Sequence, residues 1–189
     1  MRRSLAAAFV CLVTLTACSS SEGGAATPQS TTVPTMSSTW PKPSSTRPRE
    51  IRLDGKNPCN LMTADQLATI AETTAPRQNT ASTFNSPNCD FNATGASWRI
   101  TTVVTEGIEA WTSGKRQGRP TEIPPIEGFP AITVTLPTDE VACDLAVDVA
   151  NGQYLYAGFE VSKSFADRFP KPCDGARQVA EAAMQNLTK

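Results

Sequence analysis

Sulfur and carboxylate are the reactive groups on offer in this 189-residue sequence, which has six cysteines and no histidine. Without imidazole, Ser-His-Asp and Cys-His catalysis, the usual zinc sites and an imidazole pH switch are all excluded. Carboxylates could still hydrolyse a glycosidic bond in pairs, one of them raised in pKa to serve as the acid. The candidate groups are Glu106 with Glu109, and Asp139-Glu140 with Asp144 and Asp148. All stand near expected turns or on polar strand positions, where solvated acids are the ordinary case. The second group lacks the dense Asp/Asn/Gly loop of a calcium site, so no metal is expected. Lys115, Arg116 and Arg119 beside Trp111 could meet an anionic glycan or lipid; the plainer reading is a charged loop next to a core aromatic. Thr112-Ser113-Gly114-Lys115 approaches a Ser-x-x-Lys motif but has Thr at the nucleophile position. Neither Gly-x-Ser-x-Gly nor a Gly-rich phosphate loop is present. No catalytic residue and no cofactor is expected. Tyr154 and Tyr156 are first candidates for core packing, and would make a ligand platform if exposed.

Cys18 stands apart from the other cysteines. Arg2 and Arg3 give the N-terminus a positive start, Leu5 to Leu15 is mostly apolar, and Leu15-Thr16-Ala17-Cys18 follows. This is the layout of an export signal, too short for a mature spanning helix. Leu15-Thr16-Ala17-Cys18 resembles the bacterial lipobox, in which the Cys sulfur takes a diacylglycerol and cleavage occurs just before it. The resemblance implies a signal over residues 1–17, recognition by the signal peptidase at Leu15, Thr16 and Ala17, and lipidation of Cys18. More than one acyl chain would satisfy the requirement for stable anchoring. The alternative is an ordinary cleavable signal with a chance cysteine. Cys11 lies in the apolar run and would leave with the signal.

Between Ser19 and Glu50, 19 of 32 residues are Ser, Thr or Pro, and only Val33, Met36 and Trp40 are sizeable and apolar. Such a stretch cannot bury enough surface to offset its ordering. Residues 18–53 are expected to be a lipidated cysteine and a disordered tether, roughly 30 Å long on average if a flexible coil. Lys42, Arg47, Arg49 and Arg52 read as solvated charge at its end, with some attraction for anionic lipid. The remainder, residues 54–189, has the size of one ordinary domain. It carries 11 basic against 16 acidic residues, a net −5. That balance makes nucleic acid an unexpected partner.

Four cysteines remain in the domain: Cys59, Cys89, Cys143 and Cys173. An even number in an exported domain implies two disulfides, though three pairings are open. Equal spacing, thirty residues in each case, favours 59 with 89 and 143 with 173. Each bridge would contribute about 3–4 kcal/mol in the chain-entropy model. Zinc ligation is the rival, weakened by the lack of any close Cys-x-x-Cys pair.

The elements that must position these groups follow from caps and alternation. Thr63-Ala64-Asp65-Gln66 is a capping box, predicting a helix from Ala64 to Thr73 that buries Leu61, Leu67 and Ile70 and stops before Pro76. Cys89-Asp90-Phe91 opens a short strand. Ser97 to Thr105 alternates, with Trp98, Ile100, Thr102 and Val104 on one face. Ile108 to Lys115 suggests a helical turn, and Phe129 to Leu136 a strand. Asn151-Gly152 between two alternating apolar runs marks a hairpin of Cys143–Val149 and Gln153–Val161, its two central residues needing positive φ. Cys143, Leu145, Val147 and Val149 should face the core, and Asp144 and Asp148 water or a helix-free surface. Asp174 to Leu187 reads as an amphipathic helix with Ala176, Val179, Ala180, Ala183 and Leu187 on its apolar stripe. The expectation is an α+β domain: an antiparallel sheet flanked by an N-terminal and a C-terminal helix, with two disulfides.

Asn57-Pro58-Cys59-Asn60-Leu61-Met62-Thr63 leads the first helix, and Cys89 is followed by Asp90-Phe91. Gly128-Phe129-Pro130-Ala131 opens a strand, Cys143 opens the hairpin, and Pro172-Cys173 with Ala176 starts the closing helix. Together with the lipobox and tether, these residues resemble the actinobacterial lipoproteins of the domain of unknown function 3558 family. The resemblance implies a membrane-anchored envelope protein with a four-cysteine framework and no known catalytic residues. Asn57 stands where Asp is common in the family.

The expected function is therefore a non-enzymatic lipoprotein on the extracytoplasmic face of the cell membrane. It would bind an envelope protein, glycan or lipid. A carboxylate-dependent envelope hydrolase and a carrier of a small apolar ligand are the alternatives.

Overall fold

The computed structural model describes residues 46–189. The expected signal, the Leu15-Thr16-Ala17-Cys18 motif, Cys11 and Lys42 lie outside the described residues. The strands are β1 (Arg77–Ala81), β2 (Ser86–Ala93), β3 (Ala96–Val103), β4 (Arg119–Ile126), β5 (Phe129–Thr135), β6 (Ala142–Ala150) and β7 (Gln153–Val161). Helix α1 (Ala64–Ile70) precedes them, α2 (Glu109–Thr112) lies between β3 and β4, and α3 (Pro172–Leu187) closes the chain. The strands form one antiparallel sheet ordered β1-β2-β3-β7-β6-β5-β4. It is two meanders joined where β3 pairs with β7, from Ala96↔Val161 to Val103↔Tyr154. The expected α+β class and flanking helices are observed.

Both disulfides have the expected pairing. Cys59–Cys89 ties the turn before α1 to β2, and Cys143–Cys173 ties β6 to the first turn of α3. On this face of the sheet, Phe91, Trp98 and Phe159 stack across β2, β3 and β7 at centroid separations of 6.1 and 5.9 Å. Helix α3 covers them with Ala176, Val179, Ala180, Ala183 and Met184. Leu187, expected on that stripe, is half-buried against it. Gly175 lets the helix approach closely, since a Cβ there would run into the Phe159 ring.

The opposite face is not the solvated surface expected of a sheet with one apolar side. Phe84, Val103, Trp111, Ile132, Val134, Ala146, Tyr154 and Tyr156 form a second, smaller core beneath α2 and the β1–β2 turn. The two central hairpin strands are thus buried on both sides.

Several boundaries differ from expectation for identifiable reasons. The capping box forms, with Thr63 and Gln66 exchanging hydrogen bonds, but α1 stops at Ile70 rather than Thr73. Ala71 is already extended, and Thr74 N–H donates to the Asn92 carbonyl at 2.9 Å, drawing the chain into the sheet. Leu67 and Ile70 are consequently half-buried, although Leu61 is buried. Val104 lies beyond the end of β3. In the β6–β7 hairpin only Gly152 has positive φ (70°), and the ladder slips between Asp148 and Ala150. One left-handed residue with a bulge closes this turn, where two were expected. Ile51 and Leu53, expected within the tether, are docked on the domain. Ile51 N–H donates to the Val149 carbonyl at 2.8 Å, Leu53 N–H donates to Gln153 Oε1 at 2.7 Å, and both side chains are buried. Residues from Arg47 onward belong to the domain.

Candidate functional site

The second face assembles residues that the sequence offers as separate lists. Tyr154 and Tyr156 alternate onto it from β7. Glu106 arrives from the loop after β3, and Lys115 and Arg116 from the loop after α2. Glu106 Oε1 accepts from the Tyr154 hydroxyl at 3.0 Å and from Arg116 Nε at 2.6 Å, and Lys115 Nζ lies 2.8 Å from Oε2. The carboxylate is only 5% exposed. Burial alone would push Glu106 up, but the hydrogen bonds from Arg116, Lys115 and Tyr154 together overcome it and hold the carboxyl below its ordinary value. Arg116 also lies 4.9 Å from the Phe84 ring centroid. The basic group beside Trp111 therefore neutralises an internal acid. Arg119, at the start of β4, does not join it.

A second cluster spans three strands. Arg99 on β3, Gly158 on β7 and Asp144 on β6 are in register. The Arg99 Nη2 to Asp144 Oδ1 distance is 3.5 Å, an ion pair without good hydrogen-bond geometry, and Oδ1 is otherwise unsatisfied. A Cβ on Gly158 would stand 2.6 Å from Arg99 Nε and 2.7 Å from Asp144 Oδ1, so only glycine lets the pair meet there. Burial pushes the Asp144 carboxyl up, against the pull of Tyr156 and Arg99. Asp148, four residues further along β6 on the same face, pairs instead with Arg47 at 2.6 Å. Its carboxyl is likewise raised by burial.

Neither tyrosine provides an exposed platform. Tyr154 is 0% and Tyr156 5% exposed. Both hydroxyls are pushed above their ordinary range, first by burial and then by the neighbouring Glu106 and Asp144 carboxylates. They pack as core: Trp111 stacks on Tyr156 at 6.2 Å, and Phe84 lies 4.8 Å from the same ring.

Among the described residues the remaining candidate acids are spread over several elements, with Asp139 near enough to Asp144, and Glu109 to Asp148, to add to the upward push on those carboxyls. Glu106 and Glu109 line one open cleft of about 530 Å³ together with Arg52, Asp54, Lys115 and Gln153, but Glu106 is fully engaged by its donors. Asp139 lies in the β5–β6 loop, accepting from Val141 N–H at 3.2 Å. Asp144 and Asp148 turn towards different arginines. Thr112-Ser113-Gly114 is the end of α2, with Gly114 at φ 78°. A smaller cleft of about 180 Å³ is lined by Arg77, Asp90, Ser97, Arg99 and Glu160. Among the described residues no three potential ligands group to hold a metal, and no helix is long and apolar enough to cross a membrane. The sequence reading missed Gly158 and Arg99, and took Arg47 for solvated charge at the end of a tether, where it pairs with Asp148. The isolated glycine inside an apolar strand was the available signal, since it marks close approach of neighbouring groups.

A family model described as protein of unknown function (DUF3558) matches residues 13–186. The chain belongs to this family. The DUF3558 match begins ahead of Leu15-Thr16-Ala17-Cys18 and takes in all four disulfide cysteines, ending within α3. No curated protein and no solved structure matches the chain.

Proposed function

We propose that this DUF3558 protein is an envelope lipoprotein, held to the outer face of a membrane through lipid on Cys18, whose domain binds a partner. The observation that carries this reading is the closed accounting of sulfur. The four domain cysteines bond to one another, which leaves none of them for Cys18 in its lipobox-like setting. Two disulfides also suit an exported protein, where the compartment is oxidising. The state of the buried charges bears on the hydrolase alternative. Glu106 is held ionised by its three donors, and Asp144 and Asp148 each face an arginine. A carboxylate hydrolase needs one acid with a raised pKa beside a second acid in a cleft; Glu106, which lines the larger cleft beside Glu109, is instead held low. The carrier reading calls for an enclosed apolar cavity, whereas both clefts are open and lined by charged groups.

Metabolic labelling with an alkyne fatty acid tests the anchor. The native chain is expected to take up label and to stay with the membrane fraction. Cys18→Ser should lose both. An unlabelled native chain would overturn the reading. For the partner, crosslinking of the lipidated chain in its own membrane is expected to trap an envelope component. Turnover of a glycan or ester by the purified chain, lost with Glu106→Gln, would replace binding by catalysis.

A further inference from the structure

The two edges of the sheet are built differently. β4 carries Pro120, Pro124 and Pro125, and its pairing with β5 slips between Ile123 and Ile126. Such devices keep an edge from recruiting another strand. β1 has none of them. It contains no proline and no lysine, its one charge is Arg77, and four of its five residues are exposed.

Among the described residues, register identifies the groups left unpaired on this edge. Thr74 N–H donates to the Asn92 carbonyl at 2.9 Å, so the even-numbered residues of β2 turn their backbone groups towards β1. Their partners are Arg77, Asn79 and Ala81. Successive residues of an antiparallel ladder bond to alternate sides, which leaves the N–H and C=O groups of Gln78 and Thr80 pointing away from the sheet. Pro87 agrees with this alternation. It has no N–H and stands opposite Thr80, in a pair that makes no hydrogen bonds across the seam.

The geometry points to self-pairing of this edge: β1 of one copy adds antiparallel to β1 of a second copy, about a two-fold axis through Asn79, continuing one sheet through both. That register sets Gln78 against the second copy's Thr80, and every outward N–H and C=O of the two strands finds its mate. Arg77 falls opposite Ala81, so like charges do not oppose each other. A shift by two residues in either direction would draw Pro76 or the β1–β2 turn into the ladder. A second copy thus satisfies every outward group of both strands without setting like charges against each other, and the choice of this occupant rests on that register. A five-residue seam is small beside the roughly 1,000 Å² of a stable interface, so the pairing is weak in dilute solution and grows with local concentration. It does not depend on the lipid anchor.

Cysteine crosslinking of the full chain tests the pairing. Position 79 meets itself across the axis at a Cβ separation of about 5 Å, against roughly 8 Å for position 80. Under mild oxidation at high protein concentration, Asn79→Cys is expected to form a disulfide-linked dimer about tenfold faster than Thr80→Cys, with peptide mapping showing Cys59–Cys89 and Cys143–Cys173 intact. Adding Gln78→Pro removes an outward N–H without touching the β1–β2 ladder, and should abolish the Asn79→Cys dimer. Equal rates at the two positions would overturn the proposal. So would no dimer from either, or capture of a different protein alone by Asn79→Cys.

Discussion

Arg99 and Asp144 reach each other over Gly158, a guanidinium and a carboxylate 3.5 Å apart with a bare strand between them. The pair bridges β3 and β6, which do not touch in the sheet order. Gly158→Ala places a methyl group between them and should cost about 1–3 kcal/mol through overpacking, less the few tenths regained from a stiffer unfolded chain. Urea denaturation measures the difference. An unchanged midpoint would mean that the pair contributes nothing to register.

The two buried carboxylates should respond to pH with opposite signs. Glu106 is held below its ordinary value in the folded state, so its contribution is present above the unfolded-state pKa and is lost as pH falls through the folded one. Asp144 is raised; its contribution is present below the unfolded pKa and is lost as pH rises through the folded one. Glu106→Gln leaves Arg116 and Lys115 without a counter-charge and should be the costlier change at pH 7, about 3–5 kcal/mol by the measure of broken buried pairs. Asp144→Asn should be tolerated better at pH 7 than at pH 3. Stability curves of the two variants against the native chain over that range would show parallel pH slopes if this assignment of signs is wrong.

The two disulfides close loops of the same length, thirty residues each. Removing either by paired Cys→Ser substitution should lower stability by a similar amount, about 3–4 kcal/mol in the chain-entropy model. Thermal unfolding of the two double variants checks this. A large inequality would show that local packing, around α3 in one case and before α1 in the other, outweighs chain entropy.

Leu53, expected at the end of a disordered tether, is 1% exposed. Leu53→Ala in the full chain should cost about 2–5 kcal/mol, as for other buried leucines. A residue in a solvated tether would cost nothing, and the denaturation midpoint distinguishes the two.

What could be read in advance depended on whether burial left a periodic trace. Helix α3 and the β6–β7 hairpin were legible because one stripe or one face had to be apolar, and the cysteine spacing led to the right pairs. β4 was not legible, since three prolines in eight residues look like a loop. An edge strand tolerates them because a missing N–H there faces solvent. β1 is exposed on both faces and has no alternation to detect. The segment before Asp54 has only Ile51 and Leu53 to betray its docking. In the candidate site Glu106, Lys115, Arg116, Asp144 and Asp148 were noticed, Arg99 was not, Arg47 was read as solvated charge, and none of the pairings was legible. Glu106 finds Arg116 only through the fold of a loop, and Asp144 finds Arg99 only because β7 lies between β3 and β6.

Arg49 donates from its guanidinium to the Thr188 carbonyl, so the chain enters and leaves the domain at the same pole of the sheet. The β2–β3 turn, the β5–β6 loop and the connection from β7 to α3 lie at the other pole. If the proposed anchor on Cys18 holds the chain, that distant rim is the one turned away from the anchored end. A reporter fused after Lys189 would stand at the pole where Arg47 and Ile51 join the sheet, while one inserted at Thr94-Gly95 would stand at the opposite pole.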